Sequence, residues 1–171
     1  MRISSAITLH GNGVRALRVL GVGSALDAGG AVVLEWACHD RRGALLCRTD
    51  LAALWVGVAP CVGIIRKLLT GILLSAAAEV PLRFGCSVTG LRQDDRQVRV
   101  AFGDGSCGDY DLVVGADGIG STVRRLAVTD VAPTRIPTVG WRCVVAGRPA
   151  GVEHLVLLLG EKCFLGLVPV G

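Results

Sequence analysis

The sequence has few aromatic residues and no long run of like charge. Aromatics make up 4% of its 171 residues, the net charge is +4, and Lys and Arg never stand in runs longer than two. Proteins that bind single strands of nucleic acid need aromatic stacking surfaces and basic grooves. We therefore expect no nucleic-acid partner and favour a globular protein that binds a small molecule.

A long apolar span is also missing. Residues 51–65 are apolar throughout, but they contain Pro60 and are followed by Arg66 and Lys67. A membrane helix needs about 20 apolar residues, and the first 18 residues lack the continuous apolar core of a secretory signal. We expect buried structure at 51–65 and no membrane partner, with a hydrophobic hairpin over 51–80 as the weaker alternative.

The seven cysteines are far apart, odd in number and without a C-x-x-C pair. This pattern favours reduced, mostly buried thiols in a cytoplasmic protein over a disulfide framework. Cys38, His39 and Asp40 are adjacent, but successive side chains of a strand point to opposite faces. We therefore expect no metal site there.

Residues 111–126, DLVVGADGIGSTVRRL, predict a strand, a glycine-rich turn and a helix. Residues 112–114 form the predicted buried strand, and Ser121 is a good N-cap for the helix. Such a corner points unpaired N–H groups at one place and favours a phosphate. Asp117 would repel a phosphate, so we expect it to accept hydrogen bonds from hydroxyls or from amides of the turn. Ordinary turn-and-cap chemistry is the alternative explanation.

The same segment resembles the DG motif of the group A FAD-dependent monooxygenases, the flavin-dependent aromatic hydroxylases. The residues that carry the resemblance are GADGIGSTVR, and the match is long and specific. In that family the segment lies against FAD and is linked to contacts with its pyrophosphate and with the nicotinamide cofactor. The resemblance implies FAD contacts at Gly115, Asp117, Gly118, Ser121 and Arg124.

Other stretches resemble elements of the same family. Residues 6–26, AITLHGNGVRALRVLGVGSAL, resemble its "aL..lG" element, and residues 140–145, GWRCVV, resemble its "aWRgvv" strand. A helix predicted over 64–78 begins near Arg66, where the family has an "R..L...L" element whose arginine reaches the flavin cofactor. The resemblance thus adds Arg66 to the expected FAD contacts, although an arginine that merely solvates a helix end is the alternative.

Apolar periodicity predicts the remaining elements. A short helix over 14–20 is stopped by Gly21, and hairpins are expected within 31–47, 88–102 and 155–168. A further strand is expected at 110–114, and the resemblance implies another at 139–145. The Gly-x-Gly of residues 21–23 is not a dinucleotide fingerprint, because it follows a helix rather than a strand.

Together these features predict an α/β fold. The resemblance implies a partial FAD-binding domain of the glutathione-reductase-like, aromatic-hydroxylase type at 1–130, from which 31–60 make an excursion into a substrate-domain sheet. Residues 131–171 would then begin the β-sheet substrate domain.

Two cofactor-binding segments of the family do not occur in the sequence: the N-terminal G-x-G-x-x-G unit and the C-terminal Gly-Asp motif. The first also supplies central parallel strands, without which sheet edges are exposed. We therefore expect an internal fragment that alone neither binds FAD tightly nor turns over.

The function implied by the resemblance is part of an FAD-dependent, NAD(P)H-using monooxygenase that hydroxylates an aromatic or similar small molecule. No side chain is identifiable as catalytic. A halogenase or prenyl-chain reductase of the same flavin fold is a close variant. The alternatives are a non-catalytic remnant or interaction module that pairs with another chain, and a nucleotide-binding protein without redox chemistry.

Overall fold

The computed structural model describes residues 5–150 and 152–171, which divide into two compact units. Unit 1 comprises Met1–Val80 and Gly140–Gly171, and unit 2 comprises Pro81–Val139. Within the described residues the strands are β1 (Ala6–Leu9), β2 (Gly30–Val33), β3 (Glu35–Asp40), β4 (Leu45–Asp50), β5 (Cys61–Ile65), β6 (Val88–Gln93), β7 (Val98–Phe102), β8 (Cys107–Tyr110), β9 (Leu155–Leu159) and β10 (Phe164–Leu167). The helices there are α1 (Gly11–Val19), α2 (Gly23–Gly29), α3 (Leu51–Leu54), α4 (Arg66–Ala76) and α5 (Thr122–Ala127).

The first sheet of unit 1 has the strand order β1-β5-β2, and both outer strands pair antiparallel with β5. The central strand is buried from Cys61 to Ile64, which explains why its sequence is apolar rather than alternating. The buried residues that pack together around it are Val14, Leu26, Ala59, Val62 and Ile64.

The second sheet of unit 1 has the order β10-β9-β3-β4, in which β3 and β9 are parallel and the other pairs are antiparallel. A second buried cluster of Val33, Leu51, Cys61 and Leu155 packs with Trp36 and Trp55 at its border. The short helix α3 starts where the Asp50 carboxylate accepts a hydrogen bond from the Ala53 amide at 2.9 Å.

Unit 2 is a three-stranded antiparallel sheet of order β6-β7-β8 followed by α5, which lies against β6. Val100, at the centre of the sheet, is buried. Among the described residues, no helix is both long enough and apolar enough to cross a bilayer.

Several predicted elements are confirmed. The hairpins β3–β4, β6–β7 and β9–β10 all form. Helix α1 ends before Gly21, whose φ of +80° is a conformation that glycine adopts most easily. The first arm of the hairpin predicted within 31–47 is divided, since β2 pairs with β5 whereas β3 pairs with β4. Helix α2 was not predicted.

Two predicted strands are wrong. The strand expected at 110–114 stops at Tyr110, and Leu112 and Val114 beyond it are 76% and 75% exposed. The segment 139–145 is also not a strand, and its Trp141 is 89% exposed. In both places the described residues supply no neighbouring strand, and an apolar sequence forms a strand only when a partner satisfies its backbone groups.

Two smaller expectations also need correction. The helix predicted over 64–78 begins at Arg66 and ends at Ala76, because Ile64 and Ile65 belong to β5 and pair with β1. All seven cysteines are free, but they are not mostly buried: only Cys61 is fully buried. The exposed ones are Cys47, Cys107, Cys143 and Cys163.

Candidate functional site

Asp117 organises the turn at residues 115–124, which we call the glycine corner. Its Oδ1 accepts a hydrogen bond from the Ser121 hydroxyl, and its Oδ2 accepts from the backbone amides of Thr122 at 2.7 Å and Val123 at 3.2 Å. The carboxylate therefore accepts from a hydroxyl and from backbone amides, the two kinds of donor expected for it, and the amides are the first ones of the helix.

These hydrogen bonds favour the charged form of Asp117. The Ser121 hydroxyl is the main cause, and the amides of Val123 and Thr122 add to it, so that the pKa falls from 3.8 to about 2. The carboxylate is thus ionised at neutral pH. A negative charge fixed at the start of α5 also suits the positive end of the helix dipole.

Ser121 is the N-cap of α5, as predicted. Its Oγ accepts a hydrogen bond from the Arg124 amide at 2.9 Å while its hydroxyl donates to Asp117. With 6% of its surface exposed, Ser121 is the buried polar residue of the described chain. The spacing of four residues between Asp117 and Ser121 is the sequence signal that links them across the turn.

Gly115 and Gly118 serve different geometric needs. Gly118 has a φ of +82°, and a Cβ there would meet no atom within 4 Å. Gly115 lies so close to α5 that a Cβ would be 2.8 Å from Val123 Cγ1. Gly115 is therefore required by packing within the corner, whereas Gly118 is required by the backbone conformation.

Two arginines close the corner from the helix side. The Arg124 guanidinium donates to the Ile119 carbonyl at 2.8 Å, and the Arg125 guanidinium donates to the Gly120 carbonyl at 3.0 Å. Arg125 also donates to the Thr122 hydroxyl at 2.9 Å. Arg125 was not among the predicted site residues, although its place beside Arg124 in the first turns of α5 is visible in the sequence.

The corner differs from the predicted phosphate site in one respect. The first amides of α5 are taken by side chains, since Asp117 binds those of Thr122 and Val123 and Ser121 binds that of Arg124. In the described part of the chain, the amides of Ile119 and Gly120 donate to no protein acceptor. An anion at this corner would bind to the turn rather than to the helix end.

Arg66, the remaining predicted contact, lies in unit 1 and is the exposed first residue of α4. Its amide donates to the Ser5 carbonyl at 2.8 Å, and its carbonyl accepts from the Thr70 hydroxyl at 2.9 Å. Its position at the helix start is as expected. The five other predicted contacts lie in unit 2.

A concavity of about 520 Å³ lies at the β6–β7 turn of unit 2, lined by Asp94, Asp95, Arg96, Gln97 and Asp111. The amides of Arg96 and Gln97 donate to Asp94 and lower its pKa. These contacts are those of an Asx turn, so the lowered pKa of Asp94 is explained by the hairpin itself. Among the described residues no cluster of His, Cys, Asp or Glu has the arrangement of a metal site.

Known proteins similar to this chain are flavin-dependent monooxygenases. The aurachin C monooxygenase/isomerase of Stigmatella aurantiaca is 31% identical over 174 residues, which cover 100% of this chain and 45% of that protein. The 3-amino-4-hydroxybenzoate 2-monooxygenase of Streptomyces cremeus is 38% identical over 137 residues, or 75% of this chain and 33% of that protein. No protein-family model matches the chain.

A solved flavoprotein has the same fold. The structure of Klebsiella pneumoniae HpxO with FAD and uric acid matches 99% of this chain and 45% of HpxO, at 26% identity and a TM-score of 0.74. The predicted α/β fold class is thereby confirmed. The chain spans less than half the length of these relatives.

Proposed function

Because the chain belongs to the FAD-dependent aromatic monooxygenases, we propose that it forms one part of the FAD site of an NAD(P)H-using enzyme that hydroxylates an aromatic or similar small molecule. The observation that carries the proposal is the glycine corner, in which Asp117 and Ser121 hold the turn so that the Ile119 and Gly120 amides remain available. The named relatives support the class of reaction.

The corner fits a phosphate group of FAD. A Cβ at Gly118 or Gly120 would enter open space, so the backbone can be approached closely on this side. The two free amides would donate to phosphate oxygens, and Arg124 would add positive charge beside Ile119. Arg66, the first residue of α4, is proposed separately as an FAD contact.

The role of this chain is to bind and orient the cofactor. Hydride acceptance and oxygen activation are chemistry that bound FAD supplies. Asp117 keeps its charge because its pKa is about 2, and it holds the α5 amides rather than the ligand. Gly115 and Ser121 support the corner through Val123 and Arg124, so we assign them as positioning residues.

An FAD titration of the purified chain tests the corner. We expect FAD and ADP to compete and riboflavin, which has no phosphate, not to bind. Gly120→Ala should weaken FAD binding about tenfold, because the added methyl group would keep the phosphate away from the Gly120 amide. A tenfold loss corresponds to roughly one hydrogen bond to a charged group. Gly140→Ala is the matched control, since a Cβ at either glycine meets no protein atom within 4 Å. Equal affinity for FAD and riboflavin would contradict the proposal.

We also propose that this 171-residue chain alone binds FAD weakly and does not turn over. The described corner offers few donors to a ligand as large as FAD. The measurement is flavin absorbance after purification together with NADH and NADPH oxidation. Stoichiometric flavin, or oxidation of either nicotinamide above the rate of free FAD, would refute the proposal.

A second candidate function is an interaction module that pairs with another chain. The observation in its favour is the exposed apolar segment 112–114, in which Leu112 and Val114 are 76% and 75% exposed. Sedimentation of the chain with and without Val114→Lys tests this function. A chain that is monomeric with and without the substitution would leave the flavoprotein role as the better account.

The free cysteines support a reducing compartment, and we propose the cytoplasm.

A further inference from the structure

Two thiols face each other across the β3–β4 hairpin of unit 1. The antiparallel register pairs Cys38 directly with Cys47. Opposite positions in such a pair have Cα atoms about 4.5 or 5.5 Å apart and side chains on the same face of the sheet. A disulfide needs a Cα separation of about 4.4–6.8 Å, so both kinds of pair meet the requirement.

The two thiols differ in access. Cys47 is exposed and lies on β4, the edge strand of its sheet, whereas Cys38 on the neighbouring strand is half-buried. Burial raises the pKa of the Cys38 thiol, and its side-chain hydrogen bond with Cys47 raises it further. An oxidant from solvent would therefore reach Cys47 first and leave Cys38 as the neighbouring thiol.

We propose that Cys38 and Cys47 form a peroxide-sensitive modification site that closes to a cross-strand disulfide. The thiolate of Cys47 attacks one oxygen of hydrogen peroxide, the O–O bond breaks, and a sulfenic acid and hydroxide form. The Cys38 sulfur then attacks the Cys47 sulfur, the S–O bond breaks, and water leaves with the Cys38 proton. In total, two thiols and one peroxide give one disulfide and two waters.

The other cysteines provide matched controls. Cys107 is also exposed and also lies on a strand, β8, but its cross-strand partner is Ala101. It has an oxidant-accessible sulfur without a thiol opposite. The site therefore depends on the pairing of Cys38 with Cys47 rather than on exposure alone.

Peroxide treatment of the dilute chain, followed by non-reducing tryptic mass mapping, tests the proposal. Cleavage after Arg41, Arg42 and Arg48 separates the two cysteines, so the disulfide joins the peptides 19–41 and 43–48. We expect this linked pair as the main product, with loss of two hydrogens per chain. Cys107→Ser should leave its yield unchanged, and Cys47→Ser should abolish it.

Cys38→Ser gives a further test. Without the neighbouring thiol, Cys47 should proceed to sulfinic acid, and exposed Cys107 should do the same in the unsubstituted chain. The same treatment in guanidinium chloride should lower the yield of the Cys38–Cys47 link, because only the short chain between the two thiols, and no longer the sheet, then brings them together. Oxidation of Cys47 and Cys107 to the same products in the native chain, or an equal yield of the link in the unfolded chain, would overturn the proposal.

Discussion

Gly63 in β5 and Gly115 in the glycine corner both lie against other atoms, but the surroundings of the two glycines differ. A Cβ at Gly63 would be 2.1 Å from the Pro169 carbonyl oxygen, within a strand that is buried. A Cβ at Gly115 would be 2.8 Å from Val123, within a turn that is exposed. The first contact belongs to a buried core, and the second belongs to a turn built from its own hydrogen bonds.

The difference shows two ways in which this chain fixes its backbone. Around β5, burial of apolar side chains supplies the stability, and this contribution grows with the area removed from water. In the corner, Asp117 and Ser121 satisfy the first amides of α5, and each such hydrogen bond contributes about 1 kcal/mol. Substitutions that remove volume should therefore affect unit 1 strongly and the corner weakly.

The largest expected effect comes from a pair of identical substitutions. Leu26→Ala removes a side chain that is 0% exposed and should destabilise unit 1 by about 2–5 kcal/mol. Leu112→Ala removes one that is 76% exposed and should change stability by less than about 0.5 kcal/mol. Urea unfolding followed by tryptophan fluorescence reports on unit 1, which contains Trp36 and Trp55. Amide NMR signals report on unit 2. Similar losses of stability in Leu26→Ala and Leu112→Ala would contradict the expected difference between a buried and an exposed leucine.

A second pair compares two glycines of unit 1. Gly63→Ala forces a methyl group against the Pro169 carbonyl and should cost about 1–3 kcal/mol. Gly71→Ala, within α4, meets nothing within 4 Å and should stabilise by about 1 kcal/mol through helix propensity. Thermal unfolding checks the opposite signs. A stabilising Gly63→Ala would mean that the chain end does not pack on β5.

A third pair lies within the corner. Gly118→Ala should cost about 1–2 kcal/mol, because an L-residue is strained at a φ of +82°. Gly120→Ala has no positive φ and no contact, so its effect on stability should be small. The measurement is hydrogen exchange of the Arg124 amide, which is held by the Ser121 cap. Equal exchange rates in the two variants would contradict a role for the Gly118 conformation.

The smallest expected effect concerns pH. The pKa of Asp117 is about 2 in the folded chain and 3.8 normally. The contribution of its charge to folding stability is therefore complete above about pH 4 and is lost as the pH falls towards 2. Ser121→Ala removes the main cause of this shift and the N-cap, so the Asp117 pKa should rise and α5 should lose about 1 kcal/mol.

Carboxyl NMR titration of the unsubstituted chain and of Ser121→Ala measures the pKa of Asp117 in each. Asp94 is the internal control, since its lowered pKa depends on the Arg96 and Gln97 amides at the β6–β7 turn. A shift of Asp94 together with Asp117 in Ser121→Ala would indicate a general change of unit 2 rather than a local one.

The local elements of this fold were largely predictable from sequence. The end of α1 is marked by Gly21, and the turns of two hairpins are marked by Gly43 and Asp94. The chemistry at these places is short-range, namely positive φ at the glycines and Asx hydrogen bonds at Asp94. The resemblance led to the family, and Ser121 was recognised as a cap by its position before a helix. These features depend on a few neighbouring residues.

The failures concern long-range pairing. Residues 112–114 and 139–145 have the composition of strands, but composition does not determine whether a neighbouring strand is present. Ile64 and Ile65 continue a helical pattern, yet β1 and β2 on either side of β5 hold them in a sheet. In the corner, Asp117 was expected to bind amides of the turn, but the amides that it binds are the first ones of α5, where a phosphate was expected.

The parallel pairing of β3 with β9 has a consequence for synthesis of the chain. Trp36 and Leu155 are register partners, so the chain between them, which includes all of unit 2, must be made before this pairing can form. Closing so long a loop is slow compared with forming a hairpin. On the ribosome, the β3–β4 hairpin should therefore fold early and wait with one edge of β3 unpaired. During that interval the edge is open to a chaperone or to a neighbouring nascent chain.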